Sequence, residues 1–164
     1  MSTLTVWKFD NADGAEAALK KLQSLQKQEL VQVLDAAIVT WPQGRKKPKT
    51  YQAMNTVGIG ALGGAFWGML FGLIFLVPLF GMIVGATAGA LSGKFTDYGI
   101  NDDFIKEVQT KVTEGTSALF LLTGQVTIDK VEDAFAPEER GELIQSNLST
   151  EQEAKLREDF GAEV

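Results

Sequence analysis

The carboxylates of Asp97, Asp102 and Asp103 are the side chains best placed in this sequence to do chemistry. Three acids so close together, beside an uncharged stretch, suit a hard cation or the charged mouth of a pore. They also open a helical pattern, where acids cap orphan amides and complement the helix dipole. That structural role is the weightier reading. Glu132, Asp133, Glu138, Glu139 and Glu142 are spread in a way that suits a solvated surface better than a paired-carboxylate site. Gly58, Gly60, Gly63 and Gly64 imitate a phosphate loop in composition only. No Gly-Lys-Ser/Thr ending follows them, and they stand in an apolar helical pattern rather than after a strand.

The sequence contains neither cysteine nor histidine. Disulfides, thiolate catalysis, cysteine or histidine zinc ligation, haem attachment through either residue and a Ser-His-Asp arrangement are therefore excluded. With no other activated nucleophile in view, the expectation is a protein that is not an enzyme, with no catalytic residue, cofactor or metal. Net charge is −6, which argues against general nucleic-acid binding. Met1 to Asp10 lacks a basic region followed by an apolar one, so a cleavable signal peptide is not expected there.

The elements that would position these residues follow from periodicity. Thr3 to Phe9 reads as a strand, and Asp13 with Glu16 has the spacing of a capping box. A helix then carries Ala15, Ala18, Leu19, Leu22 and Leu25 on one face. Val33 to Trp41 and about Lys49 to Met54 are further strands, joined through the turn Trp41-Pro42-Gln43-Gly44 and the basic run Arg45 to Lys49. Asn101 or Asp102 caps a helix with Phe104, Ile105, Val108 and Val112 inward, and Gly115 stops it. The unbroken apolar run Ala118 to Leu122 suits a central strand. Val126 to Phe135 reads as helical, Gly141 to Ser146 as a strand, and Ser149 with Gln152 as the capping box of a last helix ending near Phe160. Trp7 and Trp41 are expected in the core or on a sheet face.

Charge is segregated along the chain. Residues 1–55 carry a net +3, residues 55–93 carry no charged side chain, and residues 94–164 carry a net −9. Within the uncharged block, Gly60, Gly64, Gly68 and Gly72 recur every four residues, and Gly81, Gly85, Gly89 and Gly93 repeat the spacing. Residues four apart share a helix face, so each set makes a groove without side chains, through which two helices in lipid can approach closely. Each glycine costs roughly 1 kcal/mol against alanine in a helix. The pattern predicts a hairpin of two helices, about Thr56 to Phe75 and Pro78 to Thr96. The first would be roughly 30 Å long, a match to a hydrocarbon core.

Leu62, Phe66, Leu70 and Ile74 would then face lipid, and Trp67 would face lipid or a neighbouring subunit. The flanking cations Arg45, Lys46, Lys47, Lys49 and Lys94 would hold both hairpin ends, and the folded domain, on the cytoplasmic side. A solvated connecting turn explains the basic run equally well.

The stretch Asp97-Tyr98-Gly99-Ile100-Asn101-Asp102-Asp103-Phe104-Ile105-Lys106-Glu107, the following Gly115 to Phe120 and the hairpin Leu73-Ile74-Phe75-Leu76-Val77-Pro78-Leu79 are distinctive. Together they resemble a bacterial family catalogued as domain of unknown function 1269, with Leu4 to Leu30 and Leu143 to Leu156 similar to its ends. Asn101 stands where many relatives are expected to carry an acid. The resemblance implies an uncharacterised inner-membrane protein with a hairpin, and no reaction.

The expected fold is α+β. A ferredoxin-like β-α-β-β-α-β domain is divided over residues 1–54 and 97–164, with a two-helix glycine-zipper membrane hairpin inserted at 55–96 and an α-β-α extension at the C-terminus. The expected function is a homo-oligomer associated with membrane lipid, acting as a scaffold or narrow pore. The alternative is a soluble oligomeric shell or binding module that buries the hairpins, with or without lipid, in an apolar interior.

Overall fold

Alternation along the strands gives this sheet two buried faces. The computed structural model describes residues 2–28, 33–52, 64–76, 93–123, 130 and 142–160. Five strands form one antiparallel sheet: β1 (Ser2–Phe9), β2 (Val33–Thr40), β3 (Lys49–Gln52), β4 (Ser117–Thr123) and β5 (Glu142–Leu148). Their order is β3-β2-β4-β1-β5. Successive side chains of a strand point to opposite faces. Leu4 and Val6, Ala37 and Val39, Ala118, Phe120 and Leu122, and Ile144 and Leu148 therefore form one apolar face. Trp7, Ala36, Ile38, Leu119 and Leu121 form the other. β4 has neighbours on both sides and apolar layers on both faces, and all seven of its residues are buried.

The second face is covered by α1 (Gly14–Lys27), through Ala15, Ala18, Leu19 and Leu22. The start of α1 is tied to the sheet, because the Ala15 amide donates to Ser117 Oγ at 2.9 Å. The first face is covered by α2 (Gly64–Phe71) with the π-helical turn Gly72–Leu76, α3 (Asp102–Lys111) and α4 (Thr150–Phe160). The result is three layers, helix on sheet on helices.

Local signals decide the ends of α3 and α4. Asn101 caps α3, its side chain accepting from the Phe104 amide at 2.9 Å, and Phe104, Ile105 and Val108 turn inward. At α4 both capping-box bonds form: the Gln152 amide donates to Ser149 Oγ at 3.1 Å, and the Ser149 amide to Gln152 Oε1 at 2.8 Å.

One expectation is corrected. The third strand does not enter the sheet's interior. Lys49–Gln52 forms the outer edge beyond β2, and Ser117–Thr123 occupies the place between β1 and β2. Of the first apolar helix, expected over about Thr56 to Phe75, the structure describes residues 64–76. Its described part is an eight-residue α-helix that passes into a five-residue π-helical turn. No described helix is long and apolar enough to cross a membrane. The remainder of that helix, most of the second helix and, apart from Lys130, the helix expected over Val126 to Phe135 lie outside the described residues.

Candidate functional site

The site of interest is the segment 64–76, because its two sides have opposite characters. One side carries Phe66, Trp67, Leu70, Phe71, Leu73, Ile74 and Phe75, all buried. An aromatic chain joins them to the sheet. The Phe71 ring lies 5.0 Å edge-on to Phe120 of β4, and Trp67 meets Phe120 at 6.3 Å while stacking on Phe71 at 5.7 Å. These offset and edge-to-face arrangements suit the ring quadrupoles and add to the area they bury.

At either end the segment is pinned by another element. Phe66 packs on Phe95 at 5.8 Å, and Phe75 on Trp41 at 6.2 Å. Trp67 is thus a core residue of its own chain, where sequence periodicity had pointed it at lipid or a neighbour. Phe66, Leu70 and Ile74 are corrected in the same way. Helical spacing identifies an apolar face without saying what covers it.

Trp67 also has a polar anchor. Its indole Nε1 donates to Asp35 Oδ2 at 3.1 Å, and Asp35 Oδ1 accepts from the Ala36 amide at 2.8 Å. Asp35 is only 1% exposed. A carboxylate is costly to bury unless donors meet it, and these two do so. Asp35 sits at a β-bulge, the pairing of β2 with β4 shifting between Val33 and Asp35. The sequence-based expectations passed over this residue. The available signal was an acid two places before Ala37, in phase with the inward side chains of β2.

The other side of the segment carries Gly68, Met69 and Gly72. Gly68 and Met69 are exposed and Gly72 is half-buried, with Met69 the exposed large hydrophobic side chain among the described residues. Among the described residues, a Cβ built on Gly68, Gly72 or Gly93 would meet nothing within 4 Å. Gly64 is the first residue of α2. Gly60, Gly81, Gly85 and Gly89 lie outside the described residues.

The cations expected to flank a hairpin are placed as follows. Arg45, Lys46, Lys47 and Lys49 are exposed in the β2–β3 connection and the start of β3. The Arg45 carbonyl accepts from Trp41 Nε1 at 2.9 Å, so this connection lies by the Phe75 end of the apolar segment. Lys94 is exposed and precedes Phe95, at the Phe66 end.

The three acids nearest this region do not converge. Asp97 lies 3.6 Å from Lys155, with both side chains more than half exposed, so the pair adds little. Asp102 and Asp103 occupy the first turn of α3, where they complement its dipole. Among the described residues no group of three or more acids is arranged to hold a metal ion. Glu142 pairs with Lys111, and Glu132, Asp133, Glu138 and Glu139 lie outside the described residues. Tyr98 is fully buried and donates to Asp159 Oδ2. Burial first, and then that bond and the Asp159 charge, push its hydroxyl well above the ordinary 10.0.

With this geometry in view, the comparison with protein families is decisive for kinship. The family described as protein of unknown function DUF1269 matches residues 61–161. The chain belongs to the DUF1269 family. The matched residues include α2, the Tyr98–Gly99 turn, α3, β4, β5 and α4, whereas β1, α1 and β2 precede the match. No curated protein and no solved structure matches the chain.

Proposed function

We propose that this DUF1269 protein is a non-enzymatic scaffold that homo-oligomerises through its glycine-bearing apolar segment and associates with membrane lipid. The observation that carries the reading is the open face of Gly68 and Gly72. Both lie in the outer helical layer, and nothing in the described core needs their lack of a side chain. A glycine in a helix is destabilising by itself, so a contact outside the described core is the simplest reason for it. A flat backbone groove suits a second helix or lipid chains, where close van der Waals contact is the main attraction. In this reading the aromatic side of the segment belongs to the sheet, and the glycine side to other copies and to lipid. The ferredoxin-like description applies to the order β2-β4-β1-β5, with β3 added outside it.

A second reading is a soluble oligomeric shell that buries the glycine faces between subunits. It draws support from the burial of Phe66, Trp67, Leu70 and Phe71 against the chain's own sheet, which leaves less apolar surface needing lipid.

The test is the size of the full chain, purified with and without mild detergent, for wild type and for Gly68→Leu with Gly72→Leu. Among the described residues, a Cβ at either position meets nothing within 4 Å. The variant is expected to fold, and its particle to shrink in detergent. An unchanged particle size would discard the glycine contact. A large particle of uniform size without detergent or bound lipid would replace the membrane scaffold with the shell.

A further inference from the structure

The two edges of the sheet are oppositely charged, and their shapes differ in a way that makes them partners. β3 and β5 are the terminal strands in the sheet order. Through the antiparallel ladder they run in the same direction. The approach to β3 carries Arg45, Lys46, Lys47 and Lys49, all exposed, with no acid between Trp41 and Gln52. Along β5, a groove of about 350 Å³ runs between the strand and α3, lined in part by Asp103, Glu107, Gln145 and Asn147. Beside it, Lys111 pairs with Glu142 and with Glu107. At the other end the Gly99 turn covers the strand: Ser146 Oγ donates to the Gly99 carbonyl, and the Asn147 carbonyl lies 3.0 Å from the position of a Gly99 Cβ. Among the described residues no strand pairs with the outer side of β5, and the part of it away from the Gly99 turn, residues 142–145, has the four-residue length of β3.

We infer that the basic β3 edge of one copy docks on the acidic β5 edge of a second copy, continuing the sheet from chain to chain. Exposed edge strands offer unpaired backbone groups for such additions. Charge selects the pairing. Two β3 edges would bring lysine and arginine runs together, and two β5 edges would oppose acids. Like charges across a strand pair are unfavourable, so only the mixed pairing is attractive. The contact is therefore head-to-tail, and it repeats into a ring or an open filament. Sheet twist turns each copy relative to the last. This contact is separate from the glycine face, and Gly68→Leu is expected to leave it in place.

The experiment is sedimentation of the full chain in mild detergent at low and high salt. It compares wild type, Lys46→Glu with Lys47→Glu, and Asp103→Lys with Glu107→Lys. Screening acts on exposed charges, so wild type is expected to gain mass at low salt and lose the gain at high salt. The first variant has one acidic edge and one of no net charge, the second two basic edges, and each alone is expected to lose the low-salt gain. Mixed in equal amounts, the acidic β5 edge of the first variant meets the basic β3 edge of the second, and a gain to the mass of a pair should return. A wild type indifferent to salt, a single variant that still grows, or a mixture that stays at the high-salt mass would each overturn the proposal. Misfolded variants could not produce the mixed assembly.

Discussion

Two groups of glycines occupy this molecule for different reasons. In the turns and at the start of α1, the fold itself demands them. Gly99 has φ +92° with the Asn147 carbonyl and Gln152 Oε1 crowding the place of a Cβ, and Gly14 leaves only 2.5 Å between such an atom and Phe9 Cβ. On the outer side of α2 and of the π-helical turn that follows it, Gly68 and Gly72 have no described atom within 4 Å of where a Cβ would stand. The first group is accounted for inside one chain. The second acquires a reason only when something else approaches, and the contrast separates residues that shape the fold from residues that serve a contact.

The contrast can be broken or sharpened by substitution. The largest effect belongs to the inner side of the same helix, where Trp67→Ala empties a site packed by Phe66, Phe71 and Phe120 and removes the indole donor from the Asp35 carboxylate. A loss of about 3–5 kcal/mol is expected in denaturant unfolding; a loss below about 1 kcal/mol would mean the segment is not anchored on the sheet. Next, Gly99→Ala forces a side chain into a left-handed conformation against a backbone oxygen, and should cost about 1–3 kcal/mol. Gly68→Ala and Gly72→Ala should have the opposite sign, with the dispersed protein gaining up to about 1 kcal/mol for each. If they destabilise like Gly99→Ala, the two groups are not distinct.

The smallest effect is a pH dependence beside the Gly99 turn. The Tyr98 hydroxyl is held above its ordinary 10.0 by burial and by Asp159, so the folded chain keeps a proton that the unfolded chain releases. That contribution is complete below about pH 10 and is lost as pH rises further toward the folded value. Wild type should therefore lose stability above pH 10 more steeply than Tyr98→Phe, as followed by thermal unfolding across that range. Equal slopes would remove Tyr98 from the account.

Much of the scaffold was legible because short-range chemistry fixes it. Asn101 and the Ser149–Gln152 pair announce helix starts through bonds that span three residues, and the apolar run Ala118 to Leu122 announces a strand buried on both faces. What covers the apolar segment was not legible. An uncharged face carrying Phe66, Leu70 and Ile74 must leave water, but lipid, a neighbour and the chain's own sheet satisfy that demand equally. The placement of Lys49–Gln52 at the edge was hidden for a related reason, since strand pairing across about 80 residues leaves no local signature. Of the glycine positions, the spacing was visible from the start, whereas the outward aim of Gly68 and Gly72 required the sheet beneath them.

The bond between Trp67 and Asp35 sets a boundary on what the apolar helix can do. The aromatic flank serves one host at a time: sheet or bilayer. Drawing it into lipid would bare Phe120 and the rest of that sheet surface, and would leave a carboxylate without its indole donor. Any state in which the aromatic flank is embedded is thus a state in which the sheet has lost that helical cover, so anchoring by this flank and integrity of the three-layer fold exclude each other.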